Sequence, residues 1–397
     1  MLGNLLYCIR EMMVLQSLGL FICSFDPVLD GHVLTARRAL QELKLDRILF
    51  LPFAGKTESP ASPGGDDRLE MCKRALAHED RMEAGLFFRS VPDLARLYAS
   101  YAEKYRGWTL LCLTEDRVYQ RLFGKKQRPQ ALKNAPFLLI GNPASKKGGS
   151  AVQIGGGETP FFSDVSFSRM EKPVKRQIRN LICPDDTGSG VLSYIAERGL
   201  YQPDHSQEIR SMISEHRWIH TMGVRSTAVR LASRFGASVL KAAAAALYHD
   251  CAKDMSVREM RKIMTQEYRC GDEEILRSTA LMHGPVGAVV ARDRFGITDP
   301  EVLDAIRYHT TGRPGMTLLD LVLFVADAIE PNREDYPGLS EMRRLAEQSL
   351  ALAALESLRR TVEFVTAQGK VFNRQGEAAM RALEKQTGTE IRPRMPE

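Results

Sequence analysis

Five of the chain's eight histidines, His216, His220, His249, His283 and His309, fall within residues 216–309, a stretch written in helical spacing. His249 is followed at once by Asp250 after the apolar run Leu240–Tyr248, which sets an imidazole and a carboxylate side by side at the end of a buried helix. One such pair is weak evidence, because a core histidine is usually just hydrogen-bonded. The others are embedded in the same way: His220 opens His220-Thr-Met-Gly-Val224, His283 lies in Leu281-Met-His-Gly284, His309 in Ile306-Arg-Tyr-His-Thr-Thr-Gly312, and Asp327 in Val325-Ala-Asp-Ala-Ile-Glu-Pro331. An aspartate after Leu318–Ala326 is costly to bury unless it is paired or holds a cation. Several helices that converge imidazoles and carboxylates on one point are what a mixed nitrogen and oxygen metal site requires.

Helices must therefore carry these groups. From residue 206 onward strand-like runs vanish, and Ser206–Arg234, Ser238–His249, Val257–Gln266 and Gly287–Phe295 show helical periodicity. Before residue 200 the texture differs. Leu18–Ser24, Arg47–Phe53, Thr109–Leu113 and Phe137–Ile140 read as buried strands, alternating with helical segments Val33–Leu43, Arg68–Ala77 and Val91–Lys104. That alternation predicts an open parallel α/β sheet. The expected organisation is an α/β domain over 17–202, an all-α helical bundle over 205–370, and a C-terminal helix and tail over 371–397. Gly55–Asp67 and the Gly/Ser/Lys-rich Lys146–Pro160 read as loops.

The strings HRWIHTMGV, LYHDCAKDM, LMHGPVGAVVARDRFG, AIRYHTTGRPGMTLLD and VADAIEPNREDYPGL run in order over almost all of 205–370. Together they resemble the HD superfamily, specifically the YqeK-type symmetrical bis(5'-nucleosyl)-tetraphosphatases. The resemblance implies that His220, His249, Asp250 and Asp327 hold one metal ion, and that Asp250 bridges to a second held by His283 and His309. It also implies iron, although imidazole and carboxylate ligands would equally accept manganese, zinc or cobalt. His216 shares a helical face with His220, but the family pattern uses only the second of the two.

Hydrolysis of a phosphoanhydride needs a hydroxide at neutral pH and cancellation of charge on the attacked phosphoryl group, and paired metal ions supply both. Asp250 and Lys253 are the expected catalytic residues. Lys253, Arg307 and Arg333 are expected phosphate contacts, with hydroxyl and N–H donors from Thr310, Thr311 and Gly312. Each of these substrate-binding residues also has a plain reading as a surface cation or a helix-end turn.

Between the first strand and helix, Ser24-Phe-Asp-Pro-Val-Leu-Asp-Gly-His32 resembles the phosphate-binding signature of nucleotidyltransferases, and of nicotinate mononucleotide adenylyltransferase (NadD-like) in particular. Ser24, Phe25 and His32 are the nucleotide-site candidates that this resemblance implies. The pattern is damaged: Leu29 replaces the first signature histidine, Ile22-Cys23 replace a glycine pair, and Val165–Met170 lacks the later threonine and arginine in register. Each such contact is commonly worth about 2–4 kcal/mol of transition-state stabilisation. A degenerate domain kept as scaffold or nucleotide-binding module is expected, with residual adenylyl transfer as the alternative.

Composition, at 44% hydrophobic and 26% charged, excludes disorder. The net charge of +6 is modest, and the basic Arg169–Arg179 carries no interleaved aromatics, so it reads as a solvated helix rather than a nucleic-acid patch. Seven scattered cysteines without a CxxC pair suit a reducing compartment. Met12–Phe25 is too short and too closely followed by Asp26-Pro27 for a signal peptide. These features predict a cytoplasmic protein with a small nucleotide substrate and neither nucleic acid nor membrane as partner; a homodimer is left open.

Overall fold

The computed structural model describes residues 16–55, 63–124, 128–140, 167–203, 205–271 and 273–389. Lys146–Pro160, Val165 and Ser166, Asp204 and the tail from residue 390 lie outside the described residues. The chain divides into two compact units: one runs through Tyr194 and includes 200–202, the other comprises 195–199 and everything from Pro203 onward.

The first unit is a five-stranded, wholly parallel sheet in the order β3-β2-β1-β4-β5. Its strands are β1 (Ser17–Cys23), β2 (Arg47–Pro52), β3 (Met82–Ala84), β4 (Thr109–Glu115) and β5 (Phe137–Ile140). The helices are α1 (Asp30–Glu42), α2 (Gly65–Ala75), α3 (Val91–Lys104), α4 (Asp116–Leu122) and α5 (Phe167–Arg179), and α6 (Ser189–Arg198) belongs to this unit only through Tyr194. β1 is apolar along almost its whole length because it is the central strand of the sheet, pairing Phe21 with Phe50 on one side and Leu113 on the other. Gly19 permits the close approach: a Cβ there would lie 2.9 Å from Ile48 and Leu45 side-chain atoms. Phe21, Phe25 and Phe50 pack ring to ring at 5.0–5.4 Å. β3 is absent from the sequence reading because a three-residue edge strand is too short to show alternation. Gly55–Asp67 is not loop throughout, since α2 begins at Gly65.

Among the described residues, every regular element from 189 onward is helical. The second unit contains α7 (Ser206–Met212), α8 (Glu215–Phe235), α9 (Val239–Tyr248), α10 (Val257–Glu267), α11 (Glu273–Arg277), α12 (Thr279–Asp293), α13 (Pro300–Tyr308), α14 (Leu318–Ile329), α15 (Leu339–Ala346), α16 (Leu350–Ala367) and α17 (Arg374–Thr387). Ala242–Ala246 make α9 thin enough to be buried at every position but Lys241, packed against α8, α13 and α14. Ser214 interrupts the long helix expected from 206 to 234, its hydroxyl accepting from Arg217 N–H as the N-cap of α8. α12 starts at Thr279 rather than near Gly287; Gly284 and Pro285 hide its period in the sequence. None of the described helices is long and apolar enough to cross a membrane, and the six described cysteines are free thiols.

In the first unit His32 is fully buried, and its Nδ1 accepts the Leu29 N–H at 2.9 Å, a cap that a leucine side chain has no means to provide. Burial outweighs that contact and pushes the imidazole down to about 3. The unfolded chain, with an ordinary histidine, therefore binds more protons between pH 3 and 6.5. Stability due to His32 is present at neutral pH and is lost as pH falls below 6.5, by about 1.4 kcal/mol per unit. His32→Gln is expected to flatten the fall in urea midpoint of the full chain between pH 7 and pH 5; equal slopes for both proteins would contradict this.

Candidate functional site

α8, α9, α12, α13 and α14 bring six groups to a common centre. His220 lies on α8, His249 closes α9 and is followed by Asp250, His283 lies on α12, His309 closes α13, and Asp327 lies on α14. Asp250 is 3% exposed and its two oxygens face different partners. Oδ2 is 4.0 Å from His220 Nε2 and 3.7 Å from His249 Nε2, while Oδ1 is 3.2 Å from His283 Nε2 and 3.8 Å from His309 Nε2. Asp327 Oδ1 lies 3.0 Å from His220 Nε2. Two ligand groups result: His220, His249 and Asp327 form one, and His249, Asp250 and His309 the other, each with donor atoms mutually within 4.8 Å.

The tautomers are set by geometry. His249 Nδ1 faces the Ala246 carbonyl at 2.7 Å, His309 Nδ1 the Ile306 carbonyl at 2.7 Å, and His283 Nδ1 the Thr279 carbonyl at 3.1 Å. A carbonyl only accepts, so these Nδ1 atoms carry the proton and each Nε2 presents a lone pair to the centre. His283 and His309 bring their Nε2 atoms to 3.0 Å of each other, and His249 Nε2 is buried without a hydrogen-bond partner. Lone pairs so arranged need a cation between them; the donor set fits a divalent metal.

Electrostatics agree with that fit. Burial, then the neighbouring His283 and His249, push His309 down to about 3, and burial also lowers His249, so both stay in the neutral, ligating form. Burial opposes ionisation of Asp250, but His249, His283 and Lys253 hold it well below the usual carboxylate range. For Asp327 burial is likewise outweighed, here by His220 and Arg333.

The other candidates scatter. Lys253 Nζ lies 3.0 Å from His283 Nε2 and 3.9 Å from Asp250 Oδ1. The Thr310 hydroxyl is 3.1 Å from His283 Nε2, and Arg333 donates to Asp327 Oδ1 at 2.6 Å. Arg307 turns instead to Asp304 at 2.6 Å and to the Tyr268 hydroxyl. The Thr311 hydroxyl donates to the Gly312 carbonyl, and the Gly312 N–H is engaged by Tyr308 O. His216 is exposed. Two residues missed in the sequence stand at the centre. Arg217 Nη1 contacts Asp250 Oδ2 at 2.5 Å, and Glu330, 1% exposed, sets Oε1 3.1 Å from His220 Nδ1. Each is three residues from a candidate ligand on the same helical face, the one signal that could have found them.

In the first unit, Ser24 donates to Glu171 Oε1 at 2.5 Å, and Asp26 N–H approaches the same oxygen at 3.4 Å. Asp26 itself pairs with Lys175 and accepts from the Tyr201 hydroxyl at 2.8 Å. Burial raises Glu171 to about 7. Ser24, Phe25 and His32 are thus engaged internally, Phe25 and His32 with no exposed surface.

A helical unit built around an adjacent His-Asp and outlying histidines is an HD domain, and the HD domain family model matches residues 217–332. The symmetrical bis(5'-nucleosyl)-tetraphosphatase of Bacillus subtilis is 46% identical over 157 residues, 40% of this chain and 83% of that protein. The chain belongs to this family. A Mycoplasma genitalium protein named "Probable nicotinate-nucleotide adenylyltransferase/Ap4A hydrolase" is 23% identical over 361 residues, 87% of this chain and 97% of that one. A Shouchella clausii protein named "Probable nicotinate-nucleotide adenylyltransferase" is 39% identical over 69 residues, 17% of this chain and 36% of that protein.

Gly284 sets the spacing between α12, which carries His283, and α13, which ends at His309. A Cβ there would sit 2.8 Å from the Arg307 carbonyl and 3.2 Å from that of Ile306, backbone that cannot yield as a side-chain tip would. Gly284→Ala is expected to push α12 from α13, to cost about 1–3 kcal/mol, and to lower bound metal per chain as measured by plasma emission spectrometry. A variant with unchanged melting and metal content would show that this approach is not needed.

Proposed function

We propose that the chain hydrolyses dinucleoside polyphosphates, splitting diadenosine tetraphosphate into two ADP at the Asp250 centre. The observation that carries the reading is a single buried carboxylate whose two oxygens address two separate sets of imidazoles. That arrangement suits two divalent cations, with His220, His249, Asp250 and Asp327 holding one and Asp250, His283 and His309 the other. Iron is the metal the family resemblance implies. Such a pair supplies an acidified water and neutralises the oxygens of the attacked phosphoryl group.

The protein's own groups do the rest. Lys253, Arg217 and Arg333 line the centre with partly exposed side chains and meet the negative charge of the polyphosphate. The Thr310 hydroxyl lies between His283 and His309, where it orients a phosphoryl oxygen or the incoming water. Water adds to phosphorus, the anhydride P–O bond breaks, and the leaving nucleoside diphosphate takes the electron pair; the reaction requires no protein nucleophile. The names of the bacterial relatives support this substrate class.

For the first unit, the mycoplasma relative's name favours a second reading, adenylyl transfer to nicotinate mononucleotide. Leu29 in place of a signature histidine, the buried His32 and the engaged Ser24 weigh toward a scaffold or nucleotide-binding module.

Product analysis tests the main reading. Purified protein given diadenosine tetraphosphate is expected to yield ADP as the sole nucleotide, and a chelator to stop it. A mixture of AMP and ATP would assign a different cut. Asp250→Ala and His249→Ala are expected to lower kcat by roughly three orders of magnitude or more and to lose metal, while His216→Ala changes little. Full turnover by metal-free Asp250→Ala would end the proposal.

A further inference from the structure

We propose that Glu330 is a positioning residue of the candidate metal centre: it holds the His220 ring with the proton on Nδ1 and the Nε2 lone pair toward the cation position, in a socket that Gly223 keeps open. The inference rests on the cation reading above and adds to it a residue outside the ligand set.

His220 differs from the other three imidazoles in what orients it. His249, His283 and His309 turn Nδ1 to main-chain carbonyls three or four residues earlier. His220 turns Nδ1 to the Glu330 carboxylate at 3.1 Å, and its Nε2 faces Asp327 Oδ1 at 3.0 Å. With Asp327 alone, a neutral ring would keep its proton on Nε2, where Asp327 accepts it. No lone pair would then face the position that His220 shares with His249 and Asp327. Glu330 gives the proton an acceptor on the far side of the ring. The proton stays on Nδ1, and Nε2 offers its lone pair to an ion.

The Glu330 side chain is itself fixed. It is 1% exposed. Its Oε2 accepts from the Asn332 N–H at 2.7 Å and from the Asn332 side-chain amide at 3.1 Å, which leaves Oε1 for His220. Arg343 donates to the Ile329 and Glu330 carbonyls at 3.1 and 3.0 Å and so ties down the end of α14. On α8, one turn beyond His220, Gly223 leaves the space: a Cβ there would overlap Glu330 Oε2 and lie 2.7 Å from Asn332 Nδ2.

The donors at Oε2 make the chemistry of this side chain matter as well as its shape. In Glu330→Gln the amide oxygen has to stay against the two Asn332 donors, so the NH2 group faces His220 Nδ1. A donor there calls for the Nδ1 lone pair, which moves the ring proton to Nε2 and closes the cation position.

The test titrates metal-free, full-length protein with manganous ion by calorimetry. Glu330→Gln is expected to weaken binding about 10–100-fold. Gly223→Ala keeps the carboxylate but displaces it, through side-chain tips that can move, and alanine suits a helix interior better than glycine. That variant is expected to fold, with a wild-type circular dichroism spectrum, and to lose affinity in the same way. In a His220→Ala background, Glu330→Gln is expected to add no further loss, since the ring through which it acts is gone. Unchanged affinity in either single variant, or an undiminished loss from Glu330→Gln without His220, would overturn the assignment. Wild-type protein that binds no manganous ion would instead remove the cation reading beneath it.

Discussion

Everything in the helical unit is arranged around one buried carboxylate. Burial opposes ionisation of Asp250, but imidazoles from four helices, with the Arg217 and Lys253 cations, crowd its two oxygens and hold it well below the usual carboxylate range. That demand explains the unusual packing. The helix before it is reduced to alanine over Ala242–Ala246, and glycines at 223 and 284 let a neighbouring carboxylate and backbone carbonyl come closer than a Cβ would allow. The site and the core are therefore one structure: the small residues that give close packing also bring Asp250, His283 and His309 within reach of one another.

How legible this was depends on how local the signal is. A histidine or aspartate inside an apolar helical run announces a cost that something must offset, so His249, Asp250, His283, His309 and Asp327 stand out without any tertiary knowledge. The parallel sheet was equally open to view, because the interior strands of such a sheet read as unbroken apolar runs. Arg217 and Glu330 look like ordinary helix-surface charges until α8 and α14 are packed together. Arg307, Thr311 and Gly312 show the reverse: proximity in sequence to His309 suggested phosphate contacts, but their donors turn to Asp304, to a neighbouring carbonyl and to the end of α13.

The first unit keeps the frame of a nucleotide-binding sheet. Its order reverses between β1 and β4, the place where such sheets bind ligands at the carboxyl ends of their strands. There Ser24 and the Asp26 N–H turn to a carboxylate from α5, and His32 caps the Leu29 N–H inside the core. These contacts form an internal network that ties β1 and the start of α1 to α5 and within themselves.

Three of the four imidazoles take their orientation from carbonyl oxygens one turn back on their own helices. The peptide backbone is the same whatever side chain it carries, so no single amino-acid replacement deletes those acceptors. The His220 ring instead has a carboxylate, Glu330, at its Nδ1, a residue that heredity can alter. Variation among descendants of this protein can therefore retune one ring through Glu330, while the aim of the other three is written into helical geometry itself.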